Sequence, residues 1–215
     1  MHSSNGAERA VGDDTLWATF GGKASLGDSA TLVDVVESIR SLPYGRPNDR
    51  TPAGVVSEWR GTCSTKHALL AELAATRWPE LEPLIVHRIY RLTPDLARSL
   101  FGARAAAAVP AEGLTDVHSY VTLLVNGRRV KVDATIPGPN WDGRSDMRLA
   151  CADGLDVDGG DDPWATKSAL VGEHCDGDIR ERVISALAEL PNAEMPTSGP
   201  CGYGAPVSED RRAPA

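Results

Sequence analysis

The strongest constraint on the fold of this chain is a pair of strand-like runs joined by Asn126-Gly127. Val117 to Val125 and Arg128 to Asp133 are rich in β-branched residues, and Asn-Gly is the preferred centre of a two-residue type I′ turn. Such a turn fixes the register. Val125 faces Arg128, Tyr120 faces Asp133 and His118 faces Thr135. His118 and Asp133 are then diagonal neighbours on one face, with Cβ atoms about 7 Å apart, a gap their side chains can bridge. A slip of one residue would put them on opposite faces. A histidine oriented by a carboxylate is half of a nucleophilic site.

A candidate for the other half lies upstream. Arg60-Gly61-Thr62-Cys63 runs straight into a stretch rich in Leu and Ala, from Ala68 to Ala75. Gly61 permits tight backbone geometry and Thr62 is a good cap, so Cys63 is predicted in the first turn of a helix that reaches about Trp78, where Pro79 ends it. There the positive end of the dipole and unpaired N–H groups favour the thiolate, the reactive form. This helix is apolar around most of its girth, which predicts a central, buried position.

Further elements follow from periodicity and punctuation. Leu32, Val35, Val36 and Ile39 have helical spacing, with Pro43 as the stop. Tyr44 to Gly54 reads as a loop. Leu84 to Leu92 reads as a strand, and Thr93-Pro94-Asp95 caps a short helix toward Phe101. Ala103 to Ala108 is compatible with more than one state. Pro137 to Asp142 reads as a rigid loop, and Asp178 to Leu190 as a last helix with Ile179, Val183, Ile184 and Leu187 on one side. No internal repeat is found.

With 215 residues, 41% hydrophobic, the chain suits one domain, placed here at residues 13–190, between a flexible arm over 1–12 and a disordered tail over 191–215. The net charge is −8 and the 22 Lys and Arg residues are scattered, which argues against a nucleic acid or an anionic membrane as partner. No apolar run reaches the roughly 18–20 residues of a bilayer span, and the first residues lack a secretion signal. Cys63, Cys151, Cys175 and Cys201 are widely spaced with no CxxC, so reduced thiols and a cytoplasmic location are expected. His174 with these cysteines offers no chelating pair for zinc, and the acidic run from Asp153 to Asp162 fits no EF-hand frame and reads as a solvated loop. No metal is therefore expected. His67, one turn after Cys63, and His87, on its strand with Ile85 and Ile89, read as packing residues.

Gly61-Thr62-Cys63 opening a helix, His118-Ser119-Tyr120 on a strand and Asp133-Ala134-Thr135 at a strand end, spaced 55 and 15 residues apart, resemble the transglutaminase-like superfamily over residues 32–135. Papain-like enzymes and arylamine N-acetyltransferases share the same Cys, His, Asp/Asn logic. The resemblance implies an α+β, transglutaminase-like/papain-like core: a central buried helix carrying the cysteine, packed against an antiparallel sheet carrying His118 and Asp133. It also implies acyl chemistry. Cys63 attacks an amide or thioester, His118 carries the proton, Asp133 holds the imidazole, and water or an amine accepts the acyl group. The resemblance makes the Cys63 N–H one oxyanion donor, with Tyr44 and Trp59 as candidates for a second. The expected substrate is a small-molecule, peptidyl or carrier-bound acyl group, and no cofactor is required. The competing expectation is a catalytically silent module of the same fold that binds a protein partner.

Overall fold

The structure is a computed structural model that describes residues 14–189. The expected arm over 1–12, the tail from 191 and Cys201 lie outside the described residues.

The hairpin register sets the frame. β2 (Leu114–Val125) and β3 (Arg128–Val132) pair from Val125↔Arg128 to Val121↔Val132. Asn126 and Gly127 take φ values of 51° and 76°, the left-handed pair that a type I′ turn requires. β1 (Leu84–Leu92) pairs antiparallel with β2 along its length, Arg88 opposite His118. β4 (Gly154–Asp158) pairs with the other edge of β1, giving the order β3-β2-β1-β4. This corrects the expectation of a solvated acidic loop. Asp156 and Asp158 alternate with Leu155 and Val157, and Asp156 receives a bidentate bond from Arg88, at 2.6 and 2.7 Å. The acids thus serve an exposed edge strand.

Eight α-helices surround the sheet among the described residues, an α+β arrangement. α1 (Asp14–Ala24) was not predicted: it buries Leu16 and Phe20 but carries two glycines and little further periodicity. α2 (Leu32–Ser41) begins as its spacing predicts, with Thr31 and Asp34 forming a reciprocal capping box. α3 (Pro52–Glu58) corrects the second half of the predicted Tyr44–Gly54 loop. Pro52 is the first helical residue, and the Thr51 hydroxyl accepts the Gly54 N–H at 3.1 Å. α4 (Cys63–Arg77) and α5 (Pro94–Phe101) follow the sequence reading, and α6 (Ala103–Ala108) resolves the alanine run as a short helix. α7 (Pro163–His174) was not predicted, and α8 (Gly177–Ala188) closes the described chain.

Two apolar cores result. One joins α1 to α4 with Val121, Leu123, Val130 and Val132 of the hairpin. The other joins α5, α6 and α8 with Leu92 and Leu114, at the far ends of β1 and β2. α4 contacts the sheet through β2, and its first residues lie at the junction of the two cores. No helix among the described residues is long and apolar enough to cross a membrane.

Candidate active site

The start of α4 is fixed from several sides. Gly45 N–H donates to Gly61 C=O at 3.2 Å and Gly61 N–H to Pro43 C=O at 3.1 Å, which ties Tyr44 to the turn before Cys63. A Cβ on Gly61 would lie 2.8 Å from Lys66 Cγ and 3.0 Å from Thr65 Oγ1, so glycine is required here by close approach. Thr65 Oγ1 accepts the Thr62 N–H at 2.9 Å. Lys66, fully buried, donates to the carbonyls of Leu42 (2.7 Å), Thr135 (2.9 Å) and Arg40 (3.3 Å). It joins the end of α2, the start of α4 and the exit of β3. Burial, against the pull of Asp133, brings its ammonium down to about 7.

His67 locks the same junction. Its Nδ1–H donates to the Cys63 carbonyl at 2.6 Å and its Nε2 accepts the Ala134 N–H at 2.8 Å. Both bonds require the neutral tautomer, and burial lowers this imidazole to about 4. The packing role expected for His67 therefore stands, with a positional consequence: it pins Asp133's neighbour to the first turn of α4.

His118 Nε2 donates to Asp133 Oδ2 at 2.8 Å, as the hairpin register predicts. Asp133 also accepts Ala150 N–H on Oδ2 at 2.7 Å and Thr135 N–H on Oδ1 at 2.9 Å. Burial would raise its carboxyl, but the His118 charge and these bonds hold it well below the usual carboxylate range. Burial likewise opposes a charge on His118, yet Asp133 and the Cys63 sulfur keep its imidazole protonated well above the usual range. With Nε2 committed to Asp133, Nδ1 lies on the side away from the carboxylate.

Cys63 is 6% exposed. Lys167 of α7, itself 5% exposed, places Nζ 3.4 Å from Cys63 Sγ and 2.8 Å from Ser119 Oγ. Burial pushes the Cys63 thiol up, but the Lys167 ammonium, then His118, overturn that and bring it down to about 5. These effects favour a Cys63 thiolate between His118 and Lys167, while burial also draws the Lys167 ammonium below its usual range. Sequence reasoning missed Lys167, 104 residues from Cys63. Asp162-Pro163 carries the same cap-and-proline signal as Thr93-Pro94, and Asp162 does accept the Ala165 N–H, at 2.9 Å, so the helix was within reach. A lysine buried on it has no sequence signal.

Cys63 and His118 line one small cavity of about 20 Å³, room for about one water. Leu92, Phe101 and Leu114 with Val183, Ile184 and Leu187 of α8 form its apolar wall. Asp116 and Arg180, paired at 2.7 Å, stand at its polar side. Thr135 Oγ1, buried without a hydrogen-bond partner, lines it as well. Tyr44 is also on the wall; burial, then the Cys63 charge, keeps its hydroxyl protonated. Trp59 is not. It packs on Phe20 with ring centroids 5.9 Å apart beneath Lys23, which removes it as an oxyanion candidate. A separate open groove of about 1050 Å³ follows residues 136–153 and reaches Asp133, Arg88 and Lys131. Among the described residues no cluster of three metal-ligating side chains occurs.

Comparison with family models, with curated proteins and with solved structures finds no match to this chain.

Proposed function

We propose that this protein is a thiol-dependent acyl enzyme of transglutaminase-like type. Cys63 is the nucleophile, His118 the proton carrier and Asp133 the orienting carboxylate. The observation that carries the reading is the buried line Asp133–His118 ending at a cavity whose other wall is the Cys63 sulfur, at the start of a helix. Ordinary packing of a cysteine has no use for a buried lysine and an oriented imidazole around it.

The reaction follows from the charges. The Cys63 thiolate adds to an acyl carbonyl carbon, and the carbonyl pair moves onto oxygen. As that pair returns, the bond to the leaving group breaks, and the protonated His118 gives its Nδ1 proton to a departing amine. Asp133 keeps Nε2–H occupied, so only Nδ1 exchanges protons with the cavity. The thioester on Cys63 is then consumed by water or by an amine, with neutral His118 taking the acceptor's proton. The small apolar cavity favours a short acyl group over a bulky one.

The test is mass spectrometry of wild type and Cys63→Ser after incubation with acyl thioesters, activated esters and amide donors, with and without added amines. An acyl adduct mapped to Cys63, and a released product absent from Cys63→Ser, support the enzyme. Products that depend on amine identify a transferase. A wild type that takes no acyl group from any donor while a partner protein binds both forms equally returns the protein to the class of silent binding modules.

A further inference from the structure

Lys167 donates to the Cys63 sulfur yet has no part in the Cys-His-Asp scheme, and its surroundings are tightly constrained. Among the described residues Nζ has two acceptors, Cys63 Sγ at 3.4 Å and Ser119 Oγ at 2.8 Å, for its three N–H groups. Ser119 is itself fixed. His87 Nε2 lies 2.8 Å from the Pro163 carbonyl, which can only accept, so Nε2 carries the proton. A neutral His87 then has a bare Nδ1, which takes the Ser119 O–H at 3.0 Å. Burial, then the nearby Lys167 charge, lowers His87 to about 4 and keeps it neutral. Ser119 is thereby obliged to turn a lone pair toward Lys167. The chain Pro163–His87–Ser119 holds the ammonium against the sulfur, and it is anchored at both ends on α7.

We propose that Lys167 is a catalytic residue of this site, donating through Nζ to the oxyanion that forms when Cys63 adds to a carbonyl. This rests on the acyl reading above. The carbonyl oxygen grows negative two bonds from the sulfur, and a donor already touching that sulfur lies within reach of it. The charge balance points the same way. While Cys63 is a thiolate, the ammonium has its anion. When the new S–C bond forms, the sulfur loses its charge and the carbonyl oxygen gains one, so the ammonium moves from the first anion to the second without ever being buried unpaired. Collapse returns the pair to the carbonyl and expels the leaving group. Tyr44 lines the same cavity but makes no hydrogen bond to the sulfur among the described contacts, and the Cys63 N–H supplies the companion donor.

Two reactions of one thiolate separate this role from simple activation of the thiol. Alkylation by iodoacetamide needs the thiolate but develops no oxyanion, whereas acetylation by p-nitrophenyl acetate needs both. The ratio of the two rates at Cys63, read by site-resolved mass spectrometry at one pH, cancels the fraction of thiolate. The full chain is compared as wild type, Lys167→Met and Lys167→Gln, folding being checked by circular dichroism; the second variant keeps a polar end should Met not be tolerated. The expected result is that alkylation falls with the thiolate fraction alone, while the ratio of acetylation to alkylation falls about 100-fold or more. A ratio within about threefold of wild type in a folded variant overturns the donor role and leaves the acyl reading intact. A wild-type Cys63 that alkylates but accepts no acetyl group removes both.

Discussion

At the scale of single residues, Cys63 is set apart from the other described thiols by charge and not by exposure. Cys151 and Cys175 are the more accessible, yet burial of their sulfurs raises both to about 11. Cys63 is more buried, and its thiol sits at about 5 because of Lys167 and His118. Its folded value is depressed, so the thiolate is present at neutral pH and is lost as pH falls through about 5. Site-resolved alkylation of Cys63 should therefore be level between about pH 6 and 8 and drop about tenfold per unit below 5. The rates at Cys151 and Cys175 should climb about tenfold per unit across the same range. A Cys63 profile that climbs in parallel with them removes the low-pKa thiol. Asp133→Asn should keep the fold and lower turnover by about 10²–10⁴, because the amide must turn its NH2 either toward Thr135 N–H or toward both His118 Nε2–H and Ala150 N–H. Its kcat should fall more than its KM rises. Cys63, His118 and Asp133 were legible in the sequence because each sits at a position with its own local signal, a helix start or a hairpin register. Lys167 was not, because what makes it reactive is the sulfur it touches, and no spacing encodes a contact 104 residues away.

Among the elements, the hairpin was fixed by Asn126-Gly127 and α5 was opened by Thr93-Pro94, yet the same signal at Asp162-Pro163 left α7 unread. α3 was hidden because its glycine, Gly54, reads as loop chemistry. Its actual reason is that a Cβ there would lie 2.2 Å from the Asp49 carbonyl oxygen. β4 was hidden because alternating acids look the same on an edge strand and in a loop until a partner such as Arg88 is placed opposite. Two glycine variants separate the two uses of this residue. Gly127 has φ 76° and open space around a Cβ, so Gly127→Ala should cost about 1–2 kcal/mol from backbone alone, with activity per folded molecule unchanged. Gly61→Ala instead meets Lys66 Cγ, whose Nζ is held by three carbonyls and cannot swing aside. It should cost about 1–3 kcal/mol as overpacking and also lower the reactivity of Cys63, because the first turn of α4 must shift. Denaturant titration with parallel alkylation rates checks both, and equal effects of the two substitutions on Cys63 would contradict the assignment of Gly61 to the site.

For the whole molecule, the position of the site between two cores decides what can enter it. The core of α1 to α4 packs the helix that begins with Cys63 against the hairpin. The second core roofs the cavity with α8, whose attachment includes Val183, Ile184 and Leu187 below and the Arg180–Asp116 and Arg46–Glu181 pairs. A void of about 20 Å³ beside the sulfur accommodates little more than a methyl group while α8 stays in place. On the acyl reading proposed above, selectivity should accordingly be set by the underside of α8 and not by Cys63, His118 or Asp133. Leu187→Ala removes part of that underside. It should cost about 2–5 kcal/mol of stability, within the reserve of an ordinary domain. In exchange it should raise the rate of Cys63 acylation by butyryl relative to acetyl esters about tenfold or more, since one or two methylenes in an apolar pocket are worth about 1–3 kcal/mol. Alkylation by iodoacetamide, which is blind to the acyl wall, should stay within about threefold of wild type. If Leu187→Ala leaves the butyryl-to-acetyl ratio where it was while the protein stays folded, the acyl chain does not lie against α8.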